Sequence, residues 1–296
     1  MSSAITIMSV LFSVLVPQKM WVAPSQPMIV QIQSDKDVTL ALTDFAGRAI
    51  AAKGSADVSA GQSADLKTIF PAVATPGTYL LYALPKGASA AAGAPNDFLG
   101  TPIVIEVLVA RFSEDQSAMV THLVPLQYVV MDTDAGEMTL IFFYDSAPHT
   151  AQNFLDLCSE GYYDGLTFHR VVPGFVIQGG DPTATGMGGP GYFVTAEFNN
   201  QPHEQGVLSM ARSQDPNSAG SQFFVCLDYN QTQKLDHKYT AFGKVQKGME
   251  AVNKIASGKL SDPQKGTPQT PTTITKVQVL AVTAANNPYE QMMKPQ

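Results

Sequence analysis

The chain has 296 residues, of which 45% are apolar and 15% charged, so it can bury one large or two ordinary cores. Its formal net charge of −7 lacks the basic excess of nucleic-acid-binding proteins, so no nucleic-acid partner is expected. Two cysteines, Cys158 and Cys226, are too few for a disulfide scaffold. Each falls in an apolar element, which predicts buried thiols rather than a catalytic Cys/His pair.

The N-terminal stretch AITIMSVLFSVLV (4–16) is apolar but too short to span a bilayer comfortably, so no membrane partner is expected. Its length matches the apolar region of an export signal, although no Lys or Arg precedes it and no clear cleavage site follows before Lys19. The other interpretation of residues 1–20 is a strand or helix docked on the next domain. The compartment stays open between the cytoplasm and, for an exported protein, the periplasm.

Residues 21–122 are rich in β-forming runs separated by Gly- and Pro-containing turns. Strands are predicted at 28–34, 38–45, 77–85 and 101–112, with no long amphipathic helix among them. This pattern favours a small β-sandwich, with an immunoglobulin-like fold as one form of it. The role of this domain is left open.

The more polar segment 113–125 is the predicted joint to a second domain, which extends over 127–284. There, QYVVMDTDAGEMTLIFFYD has two apolar stretches around an Asp-Ala-Gly turn, which predicts a hairpin. SAPHTAQNFLDLCSEG has a capping Ser146, apolar residues at helical spacing and a closing glycine, which predicts a helix.

A second helix is predicted at 248–257, followed by a Pro- and Thr-rich loop and the strand ITKVQVLAV. The tail, 285–296, is predicted to be loose and flexible. The fold class is therefore mainly β. Many strands with two helices favour an antiparallel barrel with helical lids over a parallel sheet.

The segment FHRVVPGFVIQGGDP (168–182) carries an arginine and an amide in an apolar run. In extended strands, Arg170 and Gln178 share a face with apolar side chains. A guanidinium among apolar groups has to be hydrogen-bonded or solvated. A structural ion pair with Asp181 or Glu197 is one interpretation, and a functional cation is the other.

Two later segments add candidate residues. In GVLSMARSQDPNSAGSQFFVCLDY (206–229), Gln222 and Phe224 are two apart and share a strand face. In KLDHKYTAFGKV (234–245), Leu235 and Tyr239 are available to line a pocket.

Together with GGPGY (188–192), these segments follow the order and spacing of the cyclophilin family of peptidyl-prolyl cis/trans isomerases, which residues 127–284 resemble. The SMARSQDPNSAGSQFF loop is most similar to bacterial-style members. The resemblance implies an eight-stranded antiparallel barrel with two helices, no cofactor, and proline-containing peptides or unfolded proteins as partners. It also implies rotation about X-Pro bonds, with arginine stabilising the twisted imide.

By resemblance, Arg170 is the catalytic arginine, with Phe175 and Gln178 in the same catalytic group. The proline pocket includes Val176, Phe224 and Leu235, with Tyr239 in its wall. Gln222 joins Gln178 at the polar positions beside the imide. The backbone at Ala211 and Arg212 pairs with the peptide, and Gly186 lines the neighbouring pocket. Lys234 stands where many eukaryotic members have a tryptophan that supports cyclosporin binding, so weak cyclosporin binding is expected. Tyr239 stands where those members have a histidine in the pocket wall.

Other classes of site have little support in the residues. His149, His203 and His237 lack ligand spacing, so no zinc site is expected. GMGGPGY lacks the GK[ST] ending of a phosphate loop, and no GxSxG elbow indicates a serine hydrolase. His169 is predicted to be a hydrogen-bonded core residue. A binding module for proline-containing segments without turnover, or a chaperone-like interaction protein, is the alternative to an isomerase.

Overall fold

The computed structural model describes residues 14–50, 55–88, 95–109 and 119–293. It divides the chain into two compact units, the first formed by residues 1–127 and 281–296 and the second by 128–280. No helix within the described ranges is both long and apolar enough to cross a membrane. Both units are built mainly from strands, as the sequence predicts.

The first unit contains two antiparallel sheets that share one apolar core. The smaller sheet has the order β1-β3-β6, and the larger has the order β2-β9-β8-β7-β4-β5. The strands are β1 (Leu15–Pro17), β2 (Trp21–Val22), β3 (Ile29–Ile32), β4 (Val38–Asp44), β5 (Ser55–Val58), β6 (Ser63–Asp65), β7 (Gly77–Pro85), β8 (Ile103–Val109) and β9 (Met119–Pro125). One short helix, α1 (Leu66–Ile69), follows β6.

For this part of the chain, one interpretation of the N-terminal stretch agrees with the structure, one prediction differs from it and one stays a prediction. Part of the apolar N-terminal stretch, Leu15–Pro17, is a strand paired with β3, while residues 4–13 lie outside the described residues. Residues 119–125, predicted as part of a polar joint, form β9, which pairs antiparallel with β8 in the larger sheet. The immunoglobulin-like topology stays a prediction.

The tail predicted to be loose is packed within the first unit as far as residue 293. Tyr289 is fully buried and its hydroxyl donates to the Gln127 carbonyl, at 2.7 Å. Met293 is also buried, and its sulfur accepts a hydrogen bond from the Tyr82 hydroxyl, at 3.6 Å. Two large side chains thus hold a segment whose polar composition suggests mobility.

The second unit is a β-barrel with two longer helices, as predicted. Its sheet order is β12-β20-β10-β11-β17-β15-β16-β14-β13. The strands are β10 (Gln127–Thr133), β11 (Gly136–Phe142), β12 (Thr167–Phe168), β13 (Arg170–Val172), β14 (Val176–Gly179), β15 (Val207–Met210), β16 (Phe223–Cys226), β17 (Ala241–Lys247), β18 (Leu260–Asp262), β19 (Thr267–Pro268) and β20 (Thr272–Ala281). The helices are α2 (Pro148–Ser159), α3 (Tyr229–Thr232) and α4 (Met249–Ala256).

The two edge strands of this sheet, β12 and β13, are consecutive in the chain and separated only by His169. β12 pairs with β20 and β13 pairs with β14, so residues 167–172 act as one broken strand that joins both edges. Counted this way, the sheet has the eight predicted strands. Closure removes the free edges that an open sheet would expose.

The N-terminus of α2 is capped by a residue that lies far from it in sequence. Ser146 was the predicted cap, but its hydroxyl donates to Asp145, at 3.0 Å. The carboxylate of Glu197 instead accepts the backbone N–H groups of His149 and Thr150, at 3.2 and 2.8 Å. It satisfies donors that the first helical turn leaves unpaired and places a negative charge at the positive end of the helix.

We expect Glu197→Gln to lower the free energy of unfolding of the second unit by about 1–2 kcal/mol, because the cap loses its charge and one acceptor. Hydrogen-exchange protection of amides in α2 would measure this. Ser146→Ala is the matched control and should cost clearly less. Equal losses in the two variants would contradict the assignment of Glu197 as the cap.

Candidate functional site

One row of side chains crosses four neighbouring strands of the barrel. The backbone register places Arg170 opposite Gln178, Gln178 opposite Phe224, and Phe224 opposite Ser209. Residues directly opposite each other in antiparallel strands share a face. The shared face predicted for Arg170 and Gln178 is therefore confirmed, whereas Val171 of the alternate face is buried in the barrel.

Arg170 starts a chain of hydrogen bonds whose direction is fixed by chemistry. Its Nη1 donates to Gln178 Oε1, at 3.2 Å, and Gln178 Nε2 donates to Gln222 Oε1, at 2.9 Å. Gln222 Nε2 ends the chain on the Gly188 carbonyl, at 2.8 Å. Because a guanidinium can only donate, each amide must present its oxygen toward Arg170 and its nitrogen away from it.

The ion-pair interpretation of Arg170 is wrong for the described residues, since no carboxylate lies within ion-pair distance of its guanidinium. Glu197 caps α2, as described above. Asp181 accepts the backbone N–H groups of Thr183 and Gly186, at 2.7 and 2.6 Å. Burial opposes its ionisation, but these hydrogen bonds prevail and lower the pKa of Asp181 below its usual value.

Nine of the predicted site residues line one cavity of about 160 Å³, here called the small pocket. They are Arg170, Phe175, Val176, Gln178, Ala211, Arg212, Phe224, Leu235 and Tyr239. Gly186 and Gln222 lie instead on a neighbouring cavity of about 650 Å³, the large pocket. Gln178, Ala211 and Arg212 line both cavities, so the two are adjacent.

Two glycines set the backbone around this site, and only one of them lies in a segment that the sequence singled out. Gly188 carries the carbonyl that ends the hydrogen-bond chain, and a Cβ there would overlap the Asp181 carboxylate. Gly266 lies in the Pro- and Thr-rich loop, where φ is +75° and a Cβ would overlap the Val171 carbonyl. Its own carbonyl accepts the Val171 N–H, at 2.7 Å, so this loop holds the strand that carries Arg170.

A buried polar group supports the small pocket from behind. The His203 ring stacks on Phe224 with centroids 6.3 Å apart. His203 Nδ1 lies 2.9 Å from Asp236 Oδ1, and Nε2 lies 3.0 Å from Ser209 Oγ. In a neutral ring, Nδ1 donates to Asp236 and Nε2 accepts the Ser209 hydroxyl proton. The Ser209 hydroxyl also lies 3.0 Å from the Thr240 carbonyl oxygen. When the hydroxyl donates to His203, that carbonyl still accepts the Met210 N–H, at 3.1 Å.

His169 is buried as predicted, but the predicted hydrogen bond is wrong, because neither ring nitrogen has a partner of normal geometry among the described residues. Burial is the main reason that the pKa of His169 is lowered. Arg170 acts in the same direction, while Asp181 and the Thr167 backbone oppose it. Burial likewise lowers the pKa of His203, against the opposing effect of Asp236.

These two histidines give an expected pH dependence of stability. Each ring binds a proton more weakly in the folded protein than in the unfolded chain, so protonation favours unfolding. The free energy of unfolding should fall as the pH drops below the ordinary histidine value of 6.5. NMR titration of the ring protons, with urea melts at pH 5 to 7, would check this. Rising stability over that range on acidification would contradict it.

The cysteines and metal-binding groups offer no second site. Cys158 in α2 and Cys226 in β16 are both buried free thiols, as predicted, and burial raises the pKa of each above its ordinary value. A thiolate nucleophile is therefore disfavoured at both positions. In the part of the chain that the structure describes, no group of three or more His, Cys, Asp or Glu side chains could hold a metal ion.

Comparison with known proteins finds relatives of the second unit. The family model described as cyclophilin type peptidyl-prolyl cis-trans isomerase/CLD matches residues 128–279. A peptidyl-prolyl cis-trans isomerase from Synechococcus elongatus is 44% identical over 44% of this chain and 88% of its own length. Peptidyl-prolyl cis-trans isomerase B of Bacillus subtilis is 44% identical over 42% of this chain and 87% of its own.

Among solved structures, a Cryptosporidium parvum cyclophilin type peptidyl-prolyl cis-trans isomerase, crystallised in the presence of the dipeptide Ala-Pro, shares 32% sequence identity and has a TM-score of 0.49. The match covers 52% of this chain and 99% of that one. From the family model and the curated relatives, the chain belongs to the cyclophilin-type peptidyl-prolyl cis-trans isomerase family. Its second unit is an enzyme domain of that class.

Proposed function

We propose that this protein accelerates rotation about X-Pro bonds in peptides and folding proteins, and that Arg170 is the catalytic group. The observation that carries the proposal is the Arg170 guanidinium, which lies beside apolar side chains in the wall of the small pocket and has no carboxylate partner among the described residues. Most N–H donors of this guanidinium have no acceptor among the described residues. Only one of its N–H groups is used by a described acceptor, the amide oxygen of Gln178.

Rotation about an amide bond needs no nucleophile. It requires loss of resonance across the C–N bond, against a barrier of about 18–20 kcal/mol. In the twisted state the proline nitrogen becomes pyramidal and gains a lone pair, which is hardly available in the planar ground state. A guanidinium that donates to this lone pair binds the transition state more strongly than the substrate, which is the requirement for catalysis.

The small pocket suits a proline ring. Phe175, Val176, Phe224 and Leu235 supply apolar walls, and Arg170 and Gln178 supply polar groups at one side. The walls hold the pyrrolidine ring while the carbonyl on its N-terminal side turns. They also exclude water around the guanidinium, which strengthens its hydrogen bond.

The hydrogen-bond chain from Arg170 to Gly188 supplies the orientation. Gln178 and Gln222 each use both ends of their amide groups within it, so neither can flip without breaking a bond. The guanidinium is thus positioned before substrate binds and need not reorganise during the reaction. Lowering the barrier by about 7 kcal/mol in this way would accelerate rotation on the order of 10⁵-fold.

The test is cis/trans exchange of a short Ala-Pro-Phe-type peptide, followed by NMR with and without the full chain. We expect exchange cross-peaks at catalytic enzyme concentrations. Shifts of pocket resonances on peptide addition, without faster exchange, would overturn the proposal and leave a module that binds proline-containing segments without turnover.

A further inference from the structure

The rim of the small pocket carries an excess of positive charge. The Lys234 ammonium lies 4.5 Å from the centroid of the Phe175 ring. The Lys238 ammonium donates to the Lys234 carbonyl, at 3.3 Å, and both lysines are exposed. The Arg212 guanidinium lies 4.5 Å from the centroid of the Tyr239 ring. Arg212 lines the pocket that contains Arg170, Lys234 lies against one of its lining rings, and Lys238 lies next to Lys234.

None of these four cations forms an ion pair with a described carboxylate. The hydrogen bonds of Arg212 go to backbone carbonyls, such as that of Lys238 at 3.0 Å, which leave its charge uncompensated. Local compensation would be expected by default, because the chain as a whole has a net charge of −7.

The carboxylate nearest to the two lysines in sequence is engaged elsewhere. Asp236 accepts the backbone N–H of His203, at 2.8 Å, and the Tyr229 hydroxyl, at 3.0 Å. With its bond to the His203 ring, it is held behind the pocket rather than at its rim. The lysine side chains are thus available to a ligand.

The position of Lys234 gives the charge a direction. Phe175, whose ring Lys234 contacts, and Leu235, the next residue after Lys234, line the small pocket but not the large one. Gln178, Ala211 and Arg212 line both cavities. A peptide with proline in the small pocket therefore has one flank toward the large pocket and the other toward Phe175 and Lys234.

We propose that the enzyme selects peptides that carry an acidic residue next to the proline, on the flank facing Phe175 and Lys234. This selectivity rests on the proposed isomerase function. The contact with the Phe175 ring holds the ammonium at the pocket mouth, where attraction to a carboxylate is stronger than on an open surface. Such attraction between partly exposed charges weakens as salt is added.

The experiment compares four peptides with the full chain. Glutamine, glutamate or lysine directly follows the proline in three of them. In the fourth, glutamate directly precedes the proline and glutamine follows it. Both kcat/KM from NMR exchange and Kd from chemical-shift titration are measured. At low salt, we expect glutamate on one flank to be favoured about fivefold over glutamine, and lysine to be disfavoured. Glutamate on the other flank should behave like glutamine.

Lys234 variants separate this local effect from the charge of the whole protein. Within each variant, the measured quantity is the ratio of the glutamate peptide to the glutamine peptide, which cancels general loss of activity. Lys234→Arg should keep the preference and Lys234→Glu should invert it. Lys254→Glu makes the same change of net charge on helix α4 and should leave the ratio unchanged.

A glutamate-to-glutamine ratio near one on both flanks, or a preference that Lys234→Glu leaves intact, would overturn the inference even if the glutamine peptide turns over. Absence of turnover for every peptide would instead overturn the proposed function. In that case the Kd ratios still decide whether Lys234 selects acidic peptides. An equal preference for glutamate on both flanks would also contradict the assigned direction.

Discussion

Replacing Arg170 with alanine is expected to reduce kcat/KM for a proline-containing peptide by about 10²–10³-fold, the usual loss when one transition-state hydrogen-bond donor is removed. The thermal melting temperature should stay within the wild-type range. Arg170 has no carboxylate partner among the described residues, so its removal leaves no unpaired charge behind. NMR exchange spectroscopy and a melting curve on the same sample would give both quantities.

Two further variants make this test specific. Arg170→Lys keeps the charge but loses the planar fork of donors, so it should recover little of the lost activity. Arg48→Ala removes an arginine that pairs with Asp44 on the surface of the first unit, at 2.7 Å, and should leave turnover unchanged. If Arg170→Ala unfolds the barrel, the arginine has a structural role and the mechanism is wrong.

Phe154→Ala is expected to lower the free energy of unfolding of the second unit by about 3–5 kcal/mol, the range for removing a buried phenylalanine. The Phe154 side chain on α2 is fully buried. Its ring contacts those of Phe142, Tyr163, Phe223 and Phe242, with centroids 4.9 to 5.8 Å away. Removing it leaves a cavity bordered by four rings, three of them on the strands β11, β16 and β17, which limits how far the surroundings can close the gap.

Because the protein has two units, a single global melt is a poor measure of this change. Native-state hydrogen exchange of amides in β11, β16 and β17 reports the second unit alone. Met187→Ala is the matched control, since this large apolar side chain is 89% exposed and should cost almost nothing. A loss below about 1 kcal/mol for Phe154→Ala would show that the site can collapse around the deletion.

Local sequence patterns were sufficient for much of the second unit. The Asp-Ala-Gly turn predicts the hairpin of β10 and β11, and helical spacing predicts α2 and α4 within one or two residues. Both signals act between neighbours in the chain. The cap of α2 was missed because Glu197 is 47 residues from Thr150 in sequence and only the folded barrel brings the two together.

The same distinction holds in the candidate site. Strand parity places Arg170 and Gln178 on one face, and local patterns make Phe224, Leu235 and Tyr239 candidates. The family resemblance joined them into one pocket and added residues such as Phe175 and Ala211. Neither source gave the engagement of Asp181 and Glu197, the support from Gly266 or the contact of Lys234 with Phe175. These depend on loop conformations, which periodicity does not encode.

The first unit is assembled from both ends of the chain, and this has a consequence for biosynthesis. Ordinarily the N-terminal domain of a nascent protein folds first. Here the core of the first unit includes Tyr289 and Met293, so residues 1–127 alone cannot complete it. The ribosome adds these two residues only after the barrel segment 128–280 has been synthesised. The barrel can therefore finish folding while the sheets made before it still lack part of their core. A chain truncated after residue 280 should yield a closed barrel beside a first unit with an exposed apolar seam.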